Sequence, residues 1–328
     1  MLLYAGIDEA GYGPMLGPLC IGRAVFTVDD HDPAHGAPDL WDRLEHAVCR
    51  GRRDQGKRIA IDDSKKLKGS KKGAAHPLHH LERGVLAFLG AAHDSQSWLD
   101  DLMDDEVLAA IGAAVPAHDW YQSRTRLPLG EDRGLLRIAC SRLQRAMDEA
   151  GVTCRSLACE VIDADAFNEQ VDQIGNKASI NFAAVLRMVD ELRAEHPEDD
   201  LHIVIDRQGG RTTYRRDLQQ AWPDDTIKVL DEQPALCRYQ LHPRRGSTCT
   251  ITFAQGGETR HLPIALASMT AKYCRELLML RLNRWFIEAK PDLEPTAGYV
   301  QDARRYLEEI QPVIEARSIE RTKLVRVC

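Results

Sequence analysis

Residues 2–18 read Leu-Leu-Tyr-Ala-Gly-Ile-Asp-Glu-Ala-Gly-Tyr-Gly-Pro-Met-Leu-Gly-Pro, and this stretch decides how the rest of the chain is interpreted. Its opening residues, 2–7, are apolar and rich in strand formers, and a second apolar run follows at 19–28. Glycines and prolines between the two runs favour turns, so the sequence predicts two strands joined as a hairpin. Two acidic residues, Asp8 and Glu9, end the first predicted strand.

Outward from this hairpin, the chain alternates between predicted strands and helices. Apolar runs predict strands at 156–162 and 201–205, and the second of these ends directly on Asp206. The run 249–254, a glycine turn and 259–262 predict a further hairpin. Helical periodicity predicts helices within 78–89, 98–111, 134–150, 176–194, 266–286 and 302–309. The expected fold class is therefore α/β with a mixed sheet.

Composition excludes several classes of protein. The 328 residues are 44% hydrophobic and 28% charged, which argues against wholesale disorder. No apolar stretch reaches the roughly 18 residues of a transmembrane helix, and no secretory signal opens the chain, so we expect no membrane partner. Nine cysteines without a CxxC pair indicate reduced thiols in the cytoplasm, not a disulfide framework or a zinc site.

Charge is unevenly distributed. The net charge of −7 argues mildly against a nucleic-acid partner, but residues 50–72 carry ten Lys or Arg against three Asp. Residues 84–123 carry seven acidic residues and no Lys or Arg. A nucleic-acid-binding surface needs only a local basic patch, whereas such runs are also typical of solvated faces. The charge pattern therefore leaves a nucleic-acid partner open.

Carboxylates at strand ends are the first candidate for a functional site. Asp8, Glu9 and Asp206 are expected at one edge of the sheet, where open α/β folds bind ligands, although acids also simply cap strands. Such carboxylates suit Mg²⁺ or Mn²⁺, and two such ions could clamp a phosphodiester. In a helix, Ser268, Lys272 and Glu276 share one face. Glu276 is either a fourth carboxylate or half of an ordinary surface ion pair.

Two short motifs are candidates for binding phosphate. Gly11-Tyr12-Gly13 follows the acidic pair, and glycines let a backbone approach a phosphate closely. Asp63 or Ser64 suits the start of a helix, with Lys65 and Lys66 behind it. A plain helix cap explains the second motif equally well.

Taken together, these motifs resemble those of ribonuclease HII, the type 2 ribonuclease H family. Residues 6–18 resemble its opening signature, and residues 63–67, Asp-Ser-Lys-Lys-Leu, resemble its second motif. Asn176 also matches, before the strand that ends at Asp206. Residues 267–276 resemble the helix that carries the last acidic residue, and Gly298-Tyr299 is similar to a late Gly-Tyr element.

The resemblance implies a ribonuclease H-like fold, with a mixed five-stranded sheet and flanking helices. It implies divalent-metal cleavage of the RNA strand of RNA–DNA hybrids, or cleavage at ribonucleotides embedded in duplex DNA, with Mg²⁺ or Mn²⁺ and two ions expected. The catalytic and metal-binding residues it implies are Asp8, Glu9, Asp206 and Glu276. The substrate-binding residues it implies are Gly11, Tyr12, Gly13, Ser64, Lys65, Lys66 and Tyr299.

The chain departs from the family pattern in several places. Tyr12 stands where the family has Arg, and Glu276 stands where it usually has Asp. The motifs leave insertions near 29–56, 91–131 and 231–261. We therefore expect one catalytic domain at 1–290 and a helical extension packed on it at 291–328.

Two other functions stay open. One is a nucleic-acid-binding protein on the same fold that cleaves poorly. Tyr12 and Glu276 leave this alternative open, because both depart from the family pattern. The other is a nuclease or resolvase acting on structured DNA, because a fold does not fix a function.

Overall fold

The computed structural model of the chain describes residues 1–31, 36–51, 58–69, 76–92, 96–208 and 211–327. Within this part, no helix combines the length and the apolar composition needed to cross a bilayer. One large mixed sheet carries helices on both of its faces. The predicted α/β fold class is therefore confirmed.

The strands define the edge at which the candidate site lies. In chain order they are β1 (Leu2–Ala10), β2 (Leu19–Val28), β3 (Val48–Cys49), β4 (Ile59–Ala60), β5 (Val152–Ile162), β6 (Leu201–Asp206), β7 (Thr226–Gln233), β8 (Leu236–His242) and β9 (Cys249–Ala254). Seven of these described strands form the large sheet, in the spatial order β5-β2-β1-β6-β9-β8-β7. β1 is antiparallel to β2 and parallel to β6, and β6 is parallel to β9. The carboxyl ends of β1, β6 and β9 therefore meet at one edge.

Helices cover both faces of this sheet. In chain order they are α1 (Leu40–Arg43), α2 (Ser64–Leu67), α3 (His79–Ala92), α4 (Asp104–Ala110), α5 (Arg133–Ala150), α6 (Ala164–Ile174), α7 (Lys177–Glu195), α8 (Arg215–Ala221), α9 (Leu262–Ala289), α10 (Val300–Ala316) and α11 (Arg321–Leu324). The core on one face includes α3, α5 and α9, and the core on the other includes α7. The two cores explain why β1 and β2 are apolar on both sides.

Helix α9 packs unusually close to the sheet. A Cβ atom at Gly6 would lie 2.1 Å from the carbonyl carbon of Pro263, and one at Gly22 would lie 2.1 Å from the Ala267 oxygen. Only glycine therefore fits these two strand positions. Most residues of α9 are buried, which is typical of a helix enclosed on all sides. The close packing brings α9 to the edge where β1 ends.

Several helix boundaries agree with the sequence pattern. The helix predicted at 134–150 is α5, which ends at Gly151 in the left-handed conformation. The helix predicted at 176–194 is α7, and the Asn176 side chain caps it by accepting a hydrogen bond from the Ser179 amide. The helix predicted at 98–111 is shorter, because a 3₁₀ turn at Gln96–Leu99 precedes α4.

The later strands differ from the prediction. Residues 249–254 form β9 as expected, but the hairpin predicted through 259–262 is wrong. A 3₁₀ turn at Gly257–Thr259 leads directly into α9, and Pro263 suits the first turn of that helix. The actual hairpin is β7–β8, which pairs through β8 with β9. The sheet therefore has seven described strands instead of the five that the resemblance implies.

The predicted insertions and extension are covered in part. Parts of three of these regions lie outside the described residues: 32–35 and 52–56 of the 29–56 insertion, 93–95 of the 91–131 insertion, and 328 of the extension. The basic stretch at 50–72 also has two such parts, 52–57 and 70–72. The extension contains α10 and α11, and Val325 forms a β-bridge with Leu16. The domain division at residue 290 stays a prediction.

Candidate functional site

A cavity of about 330 Å³ opens at the carboxyl ends of β1 and β6. Because these strands are parallel with Ile7 opposite Ile205, the residues that follow them converge. Asp8, Glu9 and Asp206 all line this cavity. The remaining residues that line it are Ala10, Gly11, Tyr12, Gly13, Pro14, Asp63, Ser64, Lys65, Glu258, Ser268, Lys272 and Tyr299.

The three strand-end carboxylates lie close enough for their negative charges to repel one another. Burial raises the pKa of Asp8 well above its usual value, and the neighbouring Glu9 and Asp206 raise it further. Burial also raises the pKa of Glu9, and it raises the pKa of Asp206 to about 6. None of the ion pairs among the described residues involves any of the three. The cluster therefore has an excess of negative charge, which Lys65 offsets only in part by acting to lower the pKa of Glu9.

Hydrogen bonds fix the orientation of these carboxylates. The Glu9 amide donates to Asp8 Oδ1 at 2.8 Å, and the Gly257 amide donates to Asp206 Oδ1 at 3.2 Å. Hydrogen bonds with Asn181 and Gln208 act to lower the pKa of Glu9 against the effect of burial. These two amide side chains also bind each other, with Asn181 Nδ2 donating to Gln208 Oε1 at 2.6 Å.

This donor set fits a hard divalent cation. Mg²⁺ and Mn²⁺ prefer carboxylate oxygens, and several such oxygens face one small cavity here. A bound cation would relieve the mutual repulsion that raises the pKa of Asp8. Asp8, Glu9 and Asp206 are the residues that could hold it.

Residues 11–14, the glycine loop, form one wall of the cavity, and two arginines contact this loop on the side that faces the protein interior. Gly11 has φ +89°, and a Cβ atom there would lie 2.6 Å from Arg275 Nε. Arg326 Nη2 donates to the Gly11 oxygen at 2.5 Å and also to the Pro14 oxygen. Tyr12, 39% exposed, and Tyr299, 50% exposed, present aromatic rings at the cavity. The wall therefore combines fixed backbone with two accessible rings.

Only part of the second candidate phosphate-binding motif, residues 63–66, lines the cavity. Asp63 caps α2 by accepting from the Lys65 amide at 2.8 Å. Ser64 and Lys65 line the cavity. Lys66 does not line it, and its Nζ lies 3.4 Å from Asp62 Oδ1.

Glu276 is placed differently from the other predicted carboxylates. It does not line the cavity, and its Oε1 lies 2.7 Å from Lys68 Nζ and 3.1 Å from Lys272 Nζ. Burial alone would raise the pKa of Glu276, but Lys272 and Lys68 outweigh this effect and the pKa is lowered. The structure therefore groups three of the four predicted carboxylates and ties the fourth to two lysines.

Five polar residues at this site were given no role from the sequence. Ser268 and Lys272 share a helix face with Glu276, and that spacing was the available signal for them. The others are brought in by long-range contacts with no local pattern: Asn181, Gln208 and Glu258. Asn176, the asparagine that matches the family pattern, caps α7, whereas Asn181 on the next turn hydrogen-bonds with Glu9.

A cluster of thiols lies in the core and is separate from the residues that line the cavity. All eight described cysteines are buried. The Sγ atoms of Cys20, Cys159 and Cys274 lie within 4.8 Å of one another, and no fourth donor from a described His, Cys, Asp or Glu joins this group. The described residues therefore lack the four-ligand set typical of structural zinc.

No protein-family model matches the sequence, and neither does any curated protein. Among solved structures, the chain is similar to ribonuclease HII from Archaeoglobus fulgidus, solved in complex with PCNA, at 16% identity and TM-score 0.43, with 99% of this chain and 94% of that chain covered. It is similar to ribonuclease H2 from Pyrococcus horikoshii at 11% identity and TM-score 0.42, covering 98% and 92%.

A third similar structure is Bst ribonuclease HIII in complex with Mn²⁺, at 16% identity and TM-score 0.38, covering 99% of this chain and 66% of that one. Ribonuclease HII, the family that the motifs resemble, is thus among the proteins whose solved structures are similar to this chain. The fold itself rests on the strand order and helix packing described above.

Proposed function

We propose that the protein is a metal-dependent endoribonuclease, which cleaves the RNA strand of RNA–DNA hybrids or cuts at ribonucleotides embedded in duplex DNA. The observation that supports this function best is the grouping of Asp8, Glu9 and Asp206 in one cavity without ion-pair partners among the described residues. The adjoining glycine loop and the Ser64-Lys65 motif supply the features of a nucleic-acid site.

Asp8, Glu9 and Asp206 would hold Mg²⁺ or Mn²⁺, with two ions proposed. Such ions, when bound, lower the pKa of a water nucleophile and stabilise the oxygens of an in-line displacement at phosphorus. The hydrogen bonds to Asp8 and Asp206 fix where the carboxylate oxygens point. No covalent enzyme intermediate is needed, so the buried cysteines take no part. Buried cysteines without a CxxC pair fit the reducing cytoplasm, which we propose as the protein's location.

The other cavity residues bind the nucleic acid. Gly11 and Gly13 let the sugar–phosphate backbone approach closely, and the loop contacts the 2′-OH that distinguishes RNA from DNA. Lys65 and the Ser64 hydroxyl bind a neighbouring phosphate, and Lys66 contributes positive charge from the next position. Tyr12 and Tyr299 stack against sugars or bases at the mouth of the cavity.

A cleavage assay tests this proposal. The protein is incubated with Mg²⁺ or Mn²⁺ and three labelled duplexes: one with a single ribonucleotide, a full RNA–DNA hybrid, and plain DNA. We expect a cut in the ribonucleotide-containing strand, and we expect Asp8→Asn to abolish it while the variant still folds. Cleavage of plain DNA alone would instead support a nuclease for structured DNA.

A second candidate function is a hybrid-binding protein that cleaves poorly. The observation that favours it is the engagement of Glu276 by Lys68 and Lys272, which leaves one fewer free carboxylate than the family pattern implies. Tight binding of the hybrid without any cut, in either metal, would select this alternative over the enzyme.

A further inference from the structure

Three buried cysteines meet where β2, β5 and α9 pack together. Cys20 lies on β2, Cys159 on β5 and Cys274 on α9, and all three belong to the core on the α9 face of the sheet. Because Cys159 is opposite Gly22 in the β2–β5 pairing, it lies diagonally from Cys20 on the same face. The three Sγ atoms lie within 4.8 Å of one another. Three separate elements therefore bring thiols to one point.

The spacing of these three sulfurs suits a single metal ion. Metal–thiolate bonds are about 2.3 Å long, so three sulfurs in a plane around one ion lie about 4 Å apart. Sulfurs within 4.8 Å of one another reach this spacing through movements of about 1 Å or less. The cluster therefore needs little rearrangement to bind one ion through all three sulfurs.

A buried positive charge lies beside the cluster. Arg275, the residue after Cys274, is fully buried and makes no ion pair among the described residues. Its Nη2 donates to the backbone oxygens of Leu16 and Ala297, whereas its Nε and Nη1 have no hydrogen-bond partner in this part of the chain. Glu276, the adjacent acid, is already engaged by two lysines. Because a buried charge without a counter-ion is costly, negative charge at the cluster is favoured.

Cys20 supplies negative charge to this region. Burial alone would raise the pKa of its thiol. Hydrogen bonds with Cys159 and Cys274 oppose this effect, and so do the positive charges of two buried arginines, Arg275 and Arg326. The net result is a lowered pKa, and the thiolate that this favours is the form of cysteine that binds metal ions.

The donors and the surrounding charges select the kind of metal. Thiolates prefer soft cations such as Cu(I) and Zn²⁺. Structural Zn²⁺ takes four ligands, and no described His, Cys, Asp or Glu supplies a fourth at this cluster. Cu(I) forms stable complexes with three sulfurs. Three thiolates around Cu(I) leave a net charge of −2, which matches the two positive charges of Arg275 and Arg326.

We propose that Cys20, Cys159 and Cys274 form a site for one Cu(I) ion, with the two neighbouring arginines as its counter-charges. Binding replaces the thiol protons of Cys159 and Cys274 with bonds to copper, and both protons pass to solvent. Copper stays Cu(I) throughout, so the step needs no oxidant or reductant. The bound ion cross-links β2, β5 and α9. The inference is independent of the proposed nuclease, whose carboxylates prefer hard cations.

Anaerobic titration of the full-length protein with Cu(I), against a chromophoric Cu(I) chelator, tests this site. We expect one Cu(I) per chain to resist the chelator, and X-ray absorption at the copper edge should show three sulfur neighbours. Cys159→Ala should raise the Kd for Cu(I) by at least about 100-fold, which is about 2.8 kcal/mol.

Cys154→Ala is the matched control for this variant. Cys154 is also buried on β5 but lies outside the cluster, so its replacement should leave the Kd within about threefold of the parent. An equal loss of affinity in both variants would overturn the proposal, because binding would then not depend on the cluster.

The parent protein gives further decisive outcomes. A parent that yields all its copper to the chelator would overturn the proposal, and so would fewer than three sulfur neighbours around the bound copper. Zn²⁺ is titrated in parallel. A Zn²⁺ ion held by the three sulfurs and a fourth ligand would overturn the assignment to Cu(I).

Folding and cleavage are monitored separately. Thermal unfolding without copper checks each variant, and if Cys159→Ala is unfolded, the stoichiometry and copper coordination of the parent decide alone. A parent that cuts ribonucleotide-containing duplexes but retains no Cu(I) refutes only this inference. A parent that retains Cu(I) on three sulfurs but cuts no duplex refutes only the proposed nuclease.

Discussion

The Ser268 hydroxyl lies 3.0 Å from the Ser64 hydroxyl, 204 residues away in the chain, and both side chains are buried. This pair joins α9 to the start of α2. A hydrogen bond with Ser268 also counteracts part of the rise in the pKa of Asp8. The two hydroxyls therefore link the candidate phosphate-binding motif at residues 63–66 to the strand-end carboxylate Asp8.

Ser268→Ala is expected to destabilise the protein by about 1–3 kcal/mol, because it leaves a buried hydroxyl on Ser64 without this partner. Ser64→Ala should have a smaller additional effect in that background than in the parent. Urea unfolding of the two single variants and the double variant measures the coupling energy. Additive losses would show that the two hydroxyls do not stabilise each other.

Gly11 and Gly13 are expected to respond differently to alanine. Gly11→Ala forces a side chain into φ +89° and against Arg275 Nε at 2.6 Å, so we expect a loss of at least about 2 kcal/mol. At Gly13, no described atom lies within 4 Å of an added Cβ, so the free energy of unfolding should change by about 0.5 kcal/mol or less.

Gly13→Ala is expected to lower the proposed cleavage activity although it leaves the stability almost unchanged. The methyl group of Gly13→Ala would project where we propose that the nucleic-acid backbone approaches. We expect kcat/KM for the ribonucleotide-containing duplex to fall about tenfold, equivalent to 1.36 kcal/mol of transition-state stabilisation. Parental kcat/KM in a fully folded Gly13→Ala protein would remove Gly13 from the binding surface.

The raised pKa of Asp206 predicts that protein stability depends on pH in an unusual way. Its carboxyl has a pKa of about 6 in the folded protein, raised mainly by burial, against about 3.9 in the unfolded chain. Between about pH 4 and pH 6 the folded state therefore binds the proton more tightly than the unfolded state does. The stability of the metal-free protein should fall as the pH rises through this window.

Asp206→Asn should flatten this slope, and urea unfolding of parent and variant across the window measures the difference. His261 acts in the opposite sense, because burial lowers its pKa to about 4 and stability is lost as the pH falls. Comparing two proteins that both contain His261 cancels its effect. Stability–pH curves that run parallel would mean that Asp206 titrates normally.

Tyr12 is expected to influence the choice of substrate. It is exposed at the mouth of the cavity, at the position where the family that the chain resembles has arginine. Tyr12→Arg replaces a stacking ring with a phosphate-binding cation, so the ratio of kcat/KM for a single ribonucleotide to that for an RNA tract should change. Tyr12→Phe retains the ring and should leave the ratio unchanged. An equal ratio in all three proteins would exclude Tyr12 from substrate choice.

Arg326 is expected to stabilise the glycine loop from beneath. Its guanidinium donates to the oxygens of Gly11 and Pro14, and Arg326→Ala should cost at least about 2 kcal/mol while speeding hydrogen exchange of the loop amides. Arg321→Ala, at an exposed position on α11, is the matched control and should change little. Unaltered exchange of the loop amides in Arg326→Ala would contradict this role.

The sequence predicted the parts of the site that depend on strand ends. Asp8, Glu9 and Asp206 each follow an apolar run, and parallel pairing of β1 with β6 then brings them together. The position of Glu258 could not be predicted, because it depends on β9 lying beside β6 and on Pro263 starting a helix where a strand was expected. The ion pair of Glu276 with Lys272 was one of the two alternatives that the sequence offered, but the contact with Lys68 could not be predicted, since Lys68 is 208 residues away.

The contact between Arg326 and Gly11 has a consequence for how the protein becomes active during its synthesis. The two residues are 315 positions apart, so the loop that follows β1 emerges from the ribosome long before its support does. At about 5–20 residues per second, this interval is roughly 16–60 s. The sheet can form during that time, but the glycine loop acquires its final anchor only when translation has passed residue 326, so the proposed nuclease activity should appear late.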